Sequence, residues 1–279
     1  MHDDGRRSSS DLPLVSIVTP TYQGARYLER TIRSVLEQDY ERIEYHVMDG
    51  GSTDGTLAIL ERYSDRLASW TSAPDAGQAD AVRRGFERCT GSILAYLNAD
   101  DCYVPGALRR VVETFRQTGA DLVFGDVRLV DERGERIRDL KFTDFDLETF
   151  LYEGGNVNQA GAFWTRDIYT RVGGMDPTFR FALDNDFVLR AAEVGRLVHH
   201  RGIVAEFRIH AASKTSTIWS VGLAEWERIR RRHMDPSLPP WRERMIRARA
   251  QLRRAGGYIK QGDADYMLRG LLRRVLRRP

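Results

Sequence analysis

Between residues 13 and 130 the chain alternates short β-branched runs with amphipathic stretches about ten residues long, and this rhythm restricts the fold more than any other feature. Val15–Tyr22 reads as a strand that stops at a proline. Arg26–Gln38 reads as a helix, with Leu28, Ile32, Val35 and Leu36 on one stripe. Ile43–Met48 is the next strand, closed by Asp49. The turn Gly50–Thr56 then leads into a helix reaching Tyr63. A weaker strand (Leu67–Thr71), a helix (Gln78–Arg88), a buried strand (Ser92–Leu97), a helix (Gly106–Gln117) and a strand (Asp121–Val130) follow. Strands and helices in alternation predict βαβ units and a mostly parallel central sheet flanked by helices. After residue 120 the rhythm changes. Val127–Val130 and Arg136–Leu140 flank a polar turn and predict a hairpin. Ala160–Thr165 and Leu197–Ile209 read as strands, with a helix at Asp184–Gly195.

The chain has 279 residues, enough for one large domain with an appendage. Residues 1–12 are polar, without the apolar centre of a signal peptide, and predict a disordered leader. Residues 13–218 form the expected α/β domain and 219–279 a basic helical extension. Two cysteines, Cys89 and Cys102, make neither a CxxC pair nor a disulfide framework, and point to a reducing, cytoplasmic setting. No run of apolar residues is long enough for a spanning helix.

Charge is unevenly spread. Arg228–Pro279 carry 16 Lys and Arg against 4 Asp and Glu, or +12, which leaves −9 on the remainder of a chain whose net charge is +3. An acidic body suits cation binding and a basic tail suits an anionic surface. Trp219–His233 and Trp241–Arg254 read as basic helices, and Gly256-Gly257 breaks the pattern. Beyond it, Tyr266–Leu276 mixes leucine with arginine. That composition fits a helix lying peripherally on an anionic membrane, or a solvated helix ion-paired to the acidic body. No nucleic-acid recognition motif accompanies the charge.

Chemistry concentrates at predicted strand ends. The strand Ser92–Leu97 runs into Asn98-Ala99-Asp100-Asp101, and Ile43–Met48 into Asp49-Gly50-Gly51. In a parallel sheet these ends share one edge, where ligands bind. One or two carboxylates there can hold Mg²⁺ against substrate phosphates, whereas each Asp alone is an ordinary turn former. The glycines let backbone approach a ligand closely. Neither GxxxxGK[ST] nor GxGxxG is present, so a P-loop and a dinucleotide site are poorly supported.

Four segments in series carry a resemblance: Pro13–Tyr22 (PLVSIVTPTY), Met48–Thr56 (MDGGSTDGT), Asp75–Ala81 (DAGQADA) and Tyr96–Asp101 (YLNADD). In order and spacing the chain resembles glycosyltransferase family 2, inverting enzymes with a GT-A, Rossmann-like fold, over about residues 13–215. The resemblance implies a nucleotide-diphosphate sugar donor, a UDP-sugar being favoured, and a saccharide or lipid-linked saccharide as acceptor. It places Pro20, Thr21 and Tyr22 around the nucleobase, with Asp49 binding the base and Gln78 near the ribose or phosphates. Asn98-Ala99-Asp100 matches the family's DxD motif with Asn98 in place of the first aspartate. An amide can bond a ribose hydroxyl but brings no charge, so metal binding would rest on Asp100, Asp101 and His210 of the Arg208-Ile209-His210 segment. Mn²⁺ accepts imidazole more readily than Mg²⁺ does. Asp184 matches the general base, with Leu183 where relatives carry glutamate. A hydroxyl needs such a base, and a helix N-terminus keeps the carboxylate ionised. Asn158 and Gln159, in the polar stretch Gly154–Gly161, would face the acceptor. His199-His200 reads as structural, and Phe163 and Trp164 serve either as core or as a sugar-stacking surface.

Two other classes fit less well. A nucleotidyltransferase would carry a Gly-rich, Lys/Arg-containing loop after the first strand, where this chain has Gln23-Gly24-Ala25-Arg26. A non-catalytic nucleotide-sugar-binding or membrane adaptor would have no use for Asp49, Asp100 and Asp184.

Overall fold

The computed structural model describes residues 12–154 and 157–276, with side chains to residue 270. The leader predicted at 1–12 falls almost wholly outside the described residues, as do Gly155 and Asn156 of the polar stretch.

The first half follows the predicted rhythm: β1 (Val15–Thr21), α1 (Leu28–Leu36), β2 (Ile43–Asp49), α2 (Thr56–Tyr63), β3 (Ser69–Ser72), α3 (Gln78–Phe86) and β4 (Ile93–Tyr96). The strands alternate between two packed faces. Val15, Ile17, Val47 and Ala95 meet α1 on one side. Val18, Met48, Leu94 and Tyr96 point to the other side with α3. Both faces are covered, which is why these strands read as nearly continuous apolar runs. Gly85 lets α3 lie flat on the sheet, because a Cβ there would sit 2.4 Å from Val18 Cγ1.

The second half adds β5 (Cys102–Tyr103), α4 (Ala107–Thr118), β6 (Leu122–Val130), β7 (Arg136–Leu140), α5 (Leu147–Glu153), β8 (Ala162–Thr165), α6 (Arg166–Arg171), α7 (Leu183–Val194) and β9 (Leu197–Arg208). The order across the sheet is β3-β2-β1-β4-β8-β6-β9-β5, with β7 paired to β6. From β3 to β4 all pairs are parallel. Beyond β4 the sheet is mixed: β8 runs antiparallel to both β4 and β6, while β9 returns parallel to β6. The predicted β6–β7 hairpin is present.

The C-terminal segment forms α8 (Lys214–Thr217), α9 (Trp219–His233), α10 (Pro240–Lys260) and α11 (Ala264–Leu276). It packs on the body. Ile229 and Ala250 are fully buried, and Trp226 packs edge-on against Phe150. Arg249 and Arg253 pair with Glu148, and Arg253 also with Asp146. The expected helix break at Gly256-Gly257 does not occur, since α10 continues to Lys260. Gly257 crosses Thr143, where a Cβ would lie 2.8 Å from Cγ2. Close packing there outweighs the roughly 1 kcal/mol helix penalty of glycine. Among the described residues no helix is long and apolar enough to cross a membrane.

Candidate active site

One row of the sheet defines the site's floor. Thr21 pairs with Asp49, and Asp49 with Ser72, across β1, β2 and β3. Asp49 is buried and its carboxylate organises the turn after β2. Oδ2 accepts from Ser52 N at 2.9 Å, Gly51 N at 3.2 Å and Ser72 Oγ at 2.6 Å, and Oδ1 accepts from Ser52 Oγ. Gly51 sits at φ +84°, which the turn requires. Pro20 and Thr21 are buried, while the Tyr22 ring is exposed beside Gly50 and the Asp75 carboxylate. Pro20 is tolerated in a central strand for a simple reason. Val18 O accepts from Leu97 N, so residue 20 faces the same neighbour after β4 has ended.

Because β4 stops early, the chain from Leu97 to Asp101 curls over the sheet edge. The Thr31 hydroxyl of α1 lies 2.8 Å from Ala99 O and 2.7 Å from Asp101 O and holds this curl. Arg208, at the end of β9, bolts it from the other side. It is buried, its N–H donates to Asp101 Oδ1 at 3.0 Å, its Nε to Asp100 O at 3.0 Å, and its Nη1 to Asp131 O at 2.9 Å. Asp100 and Asp101 therefore part company. Asp100 Oδ2 is 2.9 Å from His210 Nε2 and remains partly open. Asp101 is only 1% exposed, and its oxygens take the Arg208 N–H and, at 3.3 Å, Asn98 Nδ2. Burial and the neighbouring Asp100 charge push the Asp101 carboxyl well above the usual carboxylate range. The expectation of Asp101 as a metal ligand thus meets a carboxyl turned inward, a bolt rather than an open donor.

Asn98 is a junction. Its Oδ1 accepts from Gln78 Nε2 at 2.5 Å, and its Nδ2 donates to Gln159 Oε1 at 3.0 Å. Gln159 donates onward to Tyr96 O, and Lys214 Nζ donates to Gln78 Oε1 and to Arg180 O. One hydrogen-bonded chain thus joins α8, α3, the end of β4 and the turn before β8. Asn158 is otherwise engaged, since its Oδ1 caps that turn through Ala160 N at 3.0 Å. Its expected acceptor contact would require the cap to open.

Asp184 lies in the first turn of α7 and shares a cleft with Gln159, Ala162, Trp164, Met175 and Asn185. Trp164 is buried and lines this cleft, whereas Phe163 is core, stacked on Tyr103. Burial raises the Asp184 carboxyl to about 6, and the Lys214 cation pulls against that rise. Desolvation of its ammonium lowers Lys214 to about 8, opposed by the Asp184 and Glu225 carboxylates, although the residue as a whole is exposed. Sequence reading missed Lys214 and Glu225. Glu225, on α9, receives the N–H groups of Arg180, Phe181 and Ala182 at 2.8, 2.9 and 2.9 Å and fixes the entry to α7.

A cation fits the donor set at Asp100 and His210. The two supply one hard oxygen and one imidazole nitrogen, and a diphosphate would complete the shell. Glu44, His46 and Cys89 also cluster, but at the opposite edge of the sheet, where Glu44 is held by Ser16 and Thr90. His199 and His200 bond Asp126 and Thr114, the structural roles expected of them.

Residues 16–187 match the sequence family described as Glycosyl transferase family 2. The chain belongs to glycosyltransferase family 2. An uncharacterized glycosyltransferase of Mycobacterium tuberculosis is 34% identical over 200 residues, covering 70% of this chain and 75% of that protein. Glycosyltransferase AglE of Haloferax volcanii is 28% identical over 194 residues, 67% of this chain and 64% of that one. Among solved structures, S. aureus TarS 1–349 in complex with UDP superposes with TM-score 0.63 at 17% identity, over 87% of this chain and 72% of that one. Mannosyltransferase PcManGT from Pyrobaculum calidifontis, in complex with GDP-Man and Mn²⁺, gives TM-score 0.60 at 20% identity, over 89% and 72%. These neighbours share the GT-A fold, and the nucleotidyltransferase and adaptor alternatives give way to a glycosyltransferase.

Proposed function

We propose that this glycosyltransferase is metal-dependent and inverting, and moves a sugar from a nucleotide-diphosphate donor, a UDP-sugar by preference, to a hydroxyl of a saccharide or lipid-linked saccharide. One observation carries the reading: the Gln78–Asn98–Gln159 bonds tie the donor edge to the cleft that holds Asp184. Donor-binding structures of the same fold, with UDP in one and GDP-Man in the other, support it.

In this reading Tyr22 covers the base beside Gly50 and Asp49. Asn98 and Gln78 meet the ribose, and Lys214 meets the diphosphate. Asp100 and His210 hold the divalent cation, Mn²⁺ suiting the imidazole. When bound, that cation supplies Lewis-acid stabilisation of charge on the diphosphate. Asp184 takes the proton of the acceptor hydroxyl. The acceptor oxygen forms its bond to the anomeric carbon on the face opposite the breaking bond, and that bond's electron pair leaves with the diphosphate. A carboxyl at about 6 is mostly ionised at neutral pH yet basic enough to accept the proton. Residues 13–218 carry this chemistry, and the helices from 219 onward brace it.

Asp100→Ala is the direct test. Calorimetry with UDP and Mn²⁺ should show metal-dependent binding lost, while metal-free binding stays weak and unaltered. Unchanged affinity with metal present removes Asp100 from the metal site.

A further inference from the structure

Helix α10 buries one face and leaves the other apolar. Trp241, Met245, Leu252 and Ile259 are 54%, 62%, 74% and 59% exposed. At 100° per residue these four lie within about 40° of one another, along a line about 27 Å long. Leu268 on α11 is 54% exposed as well. The opposite face carries fully buried Ala250 and the crossing at Gly257. The apolar line therefore belongs to no core. Arg244 and Lys260 border it without an ion pair among the described residues, and Arg242 borders it over the Trp241 ring, with only a through-space attraction to Asp235. By contrast, Arg249 and Arg253 are neutralised by the body.

We infer that the outer face of α10 docks on an anionic lipid bilayer. An apolar stripe edged by cations matches an interface where acyl chains lie beneath phosphates. A second copy of the chain is the poorer occupant. Pairing two such faces would bring the unneutralised arginines of each helix toward those of the other, whereas a bilayer meets them with negative charge. On the opposite, body-facing side of the helix, Arg254 donates to Gly154 O at 3.2 Å, so α10 itself lies between the docking face and that loop.

Co-sedimentation of the full chain with phosphatidylcholine vesicles, with and without 30% phosphatidylglycerol, tests the inference. Binding is expected only with the anionic lipid, and Leu252→Glu with Ile259→Glu should lower the bound fraction at least tenfold. Arg242→Gln, Arg244→Gln and Lys260→Gln together should remove the preference for anionic lipid. All five positions lie outside the core, and unchanged UDP affinity and thermal melting confirm that the variants fold. Equal sedimentation of wild type and the Glu variant overturns the proposal. So does light scattering that finds a dimer which Leu252→Glu dissociates, because the face would then join two copies.

Discussion

Asp184 and Lys214 influence each other electrostatically at the proposed reacting centre, and desolvation pushes their protonation in opposite directions. Asp184 must be ionised to accept a proton, so kcat/KM should rise as pH climbs through about 6. Lys214 must be protonated to hold a diphosphate, so the same parameter should fall as pH climbs through about 8. A pH–rate profile of the free enzyme checks both limbs. Lys214→Met should remove the upper limb. It should also move the lower one upward, since the cation that lowers Asp184 is gone. Asp184→Asn should keep donor affinity and lose about 10²–10⁴ in kcat. A near-normal rate in that variant would assign the base elsewhere.

At the level of elements, α7 presents Asp184 only because α9 fixes the entry to it. Glu225 takes the N–H groups of Arg180, Phe181 and the N-cap Ala182, the three residues that lead the chain into α7. Hydrogen bonds to a charged group contribute about 1.5–3 kcal/mol each at most, and not additively. Glu225→Ala should lower the melting temperature by several degrees and reduce kcat more than donor affinity. Glu225→Gln, with one acceptor oxygen retained, should recover part of both. Equal losses of kcat and donor affinity would mean that the clamp serves the whole fold and not α7 in particular. Arg208 plays the equivalent part for the Asp100–Asp101 curl, holding it to β9 while His210, two residues on, reaches Asp100.

For the whole molecule, the basic C-terminal helices complete the acidic body. Trp226 and Ile229 enter the core face that also holds Phe150. Each large buried side chain contributes about 1.5–3 kcal/mol, against a net domain stability of about 5–15 kcal/mol. A chain ending at Thr217 should therefore aggregate or melt well below the full-length protein. An unaltered melting temperature would show that the extension is only an appendage.

Much of this was legible in the chain itself. The short apolar, β-branched runs and the stripe on α1 define β1 to β4, because length and local spacing set each element's type. The strand-end carboxylates mark the edge at which the proposed donor site lies. The hairpin after β6 announces itself by its polar turn. Two short helices escaped that reading, although Asp146 and Thr165 cap them through Thr149 N and Ile168 N. With six or seven residues each, they offer too little periodicity to stand out.

Pairing across the second half of the sheet could not be read from local pattern, since it joins β8 to β4 over some seventy residues of intervening chain. The fates of Asp100 and Asp101, adjacent and chemically identical, were equally hidden. Backbone direction at the curl turns one toward His210 and the other toward Arg208, and both partners arrive from more than a hundred residues away. The sequence by itself determined the layers and the family, because these follow from local periodicity and contiguous motifs. Only the tertiary structure decided which carboxylate stays open, which lysine joins the Gln78–Asn98–Gln159 network and which face of α10 is left bare, because each depends on what distant segments bring into contact.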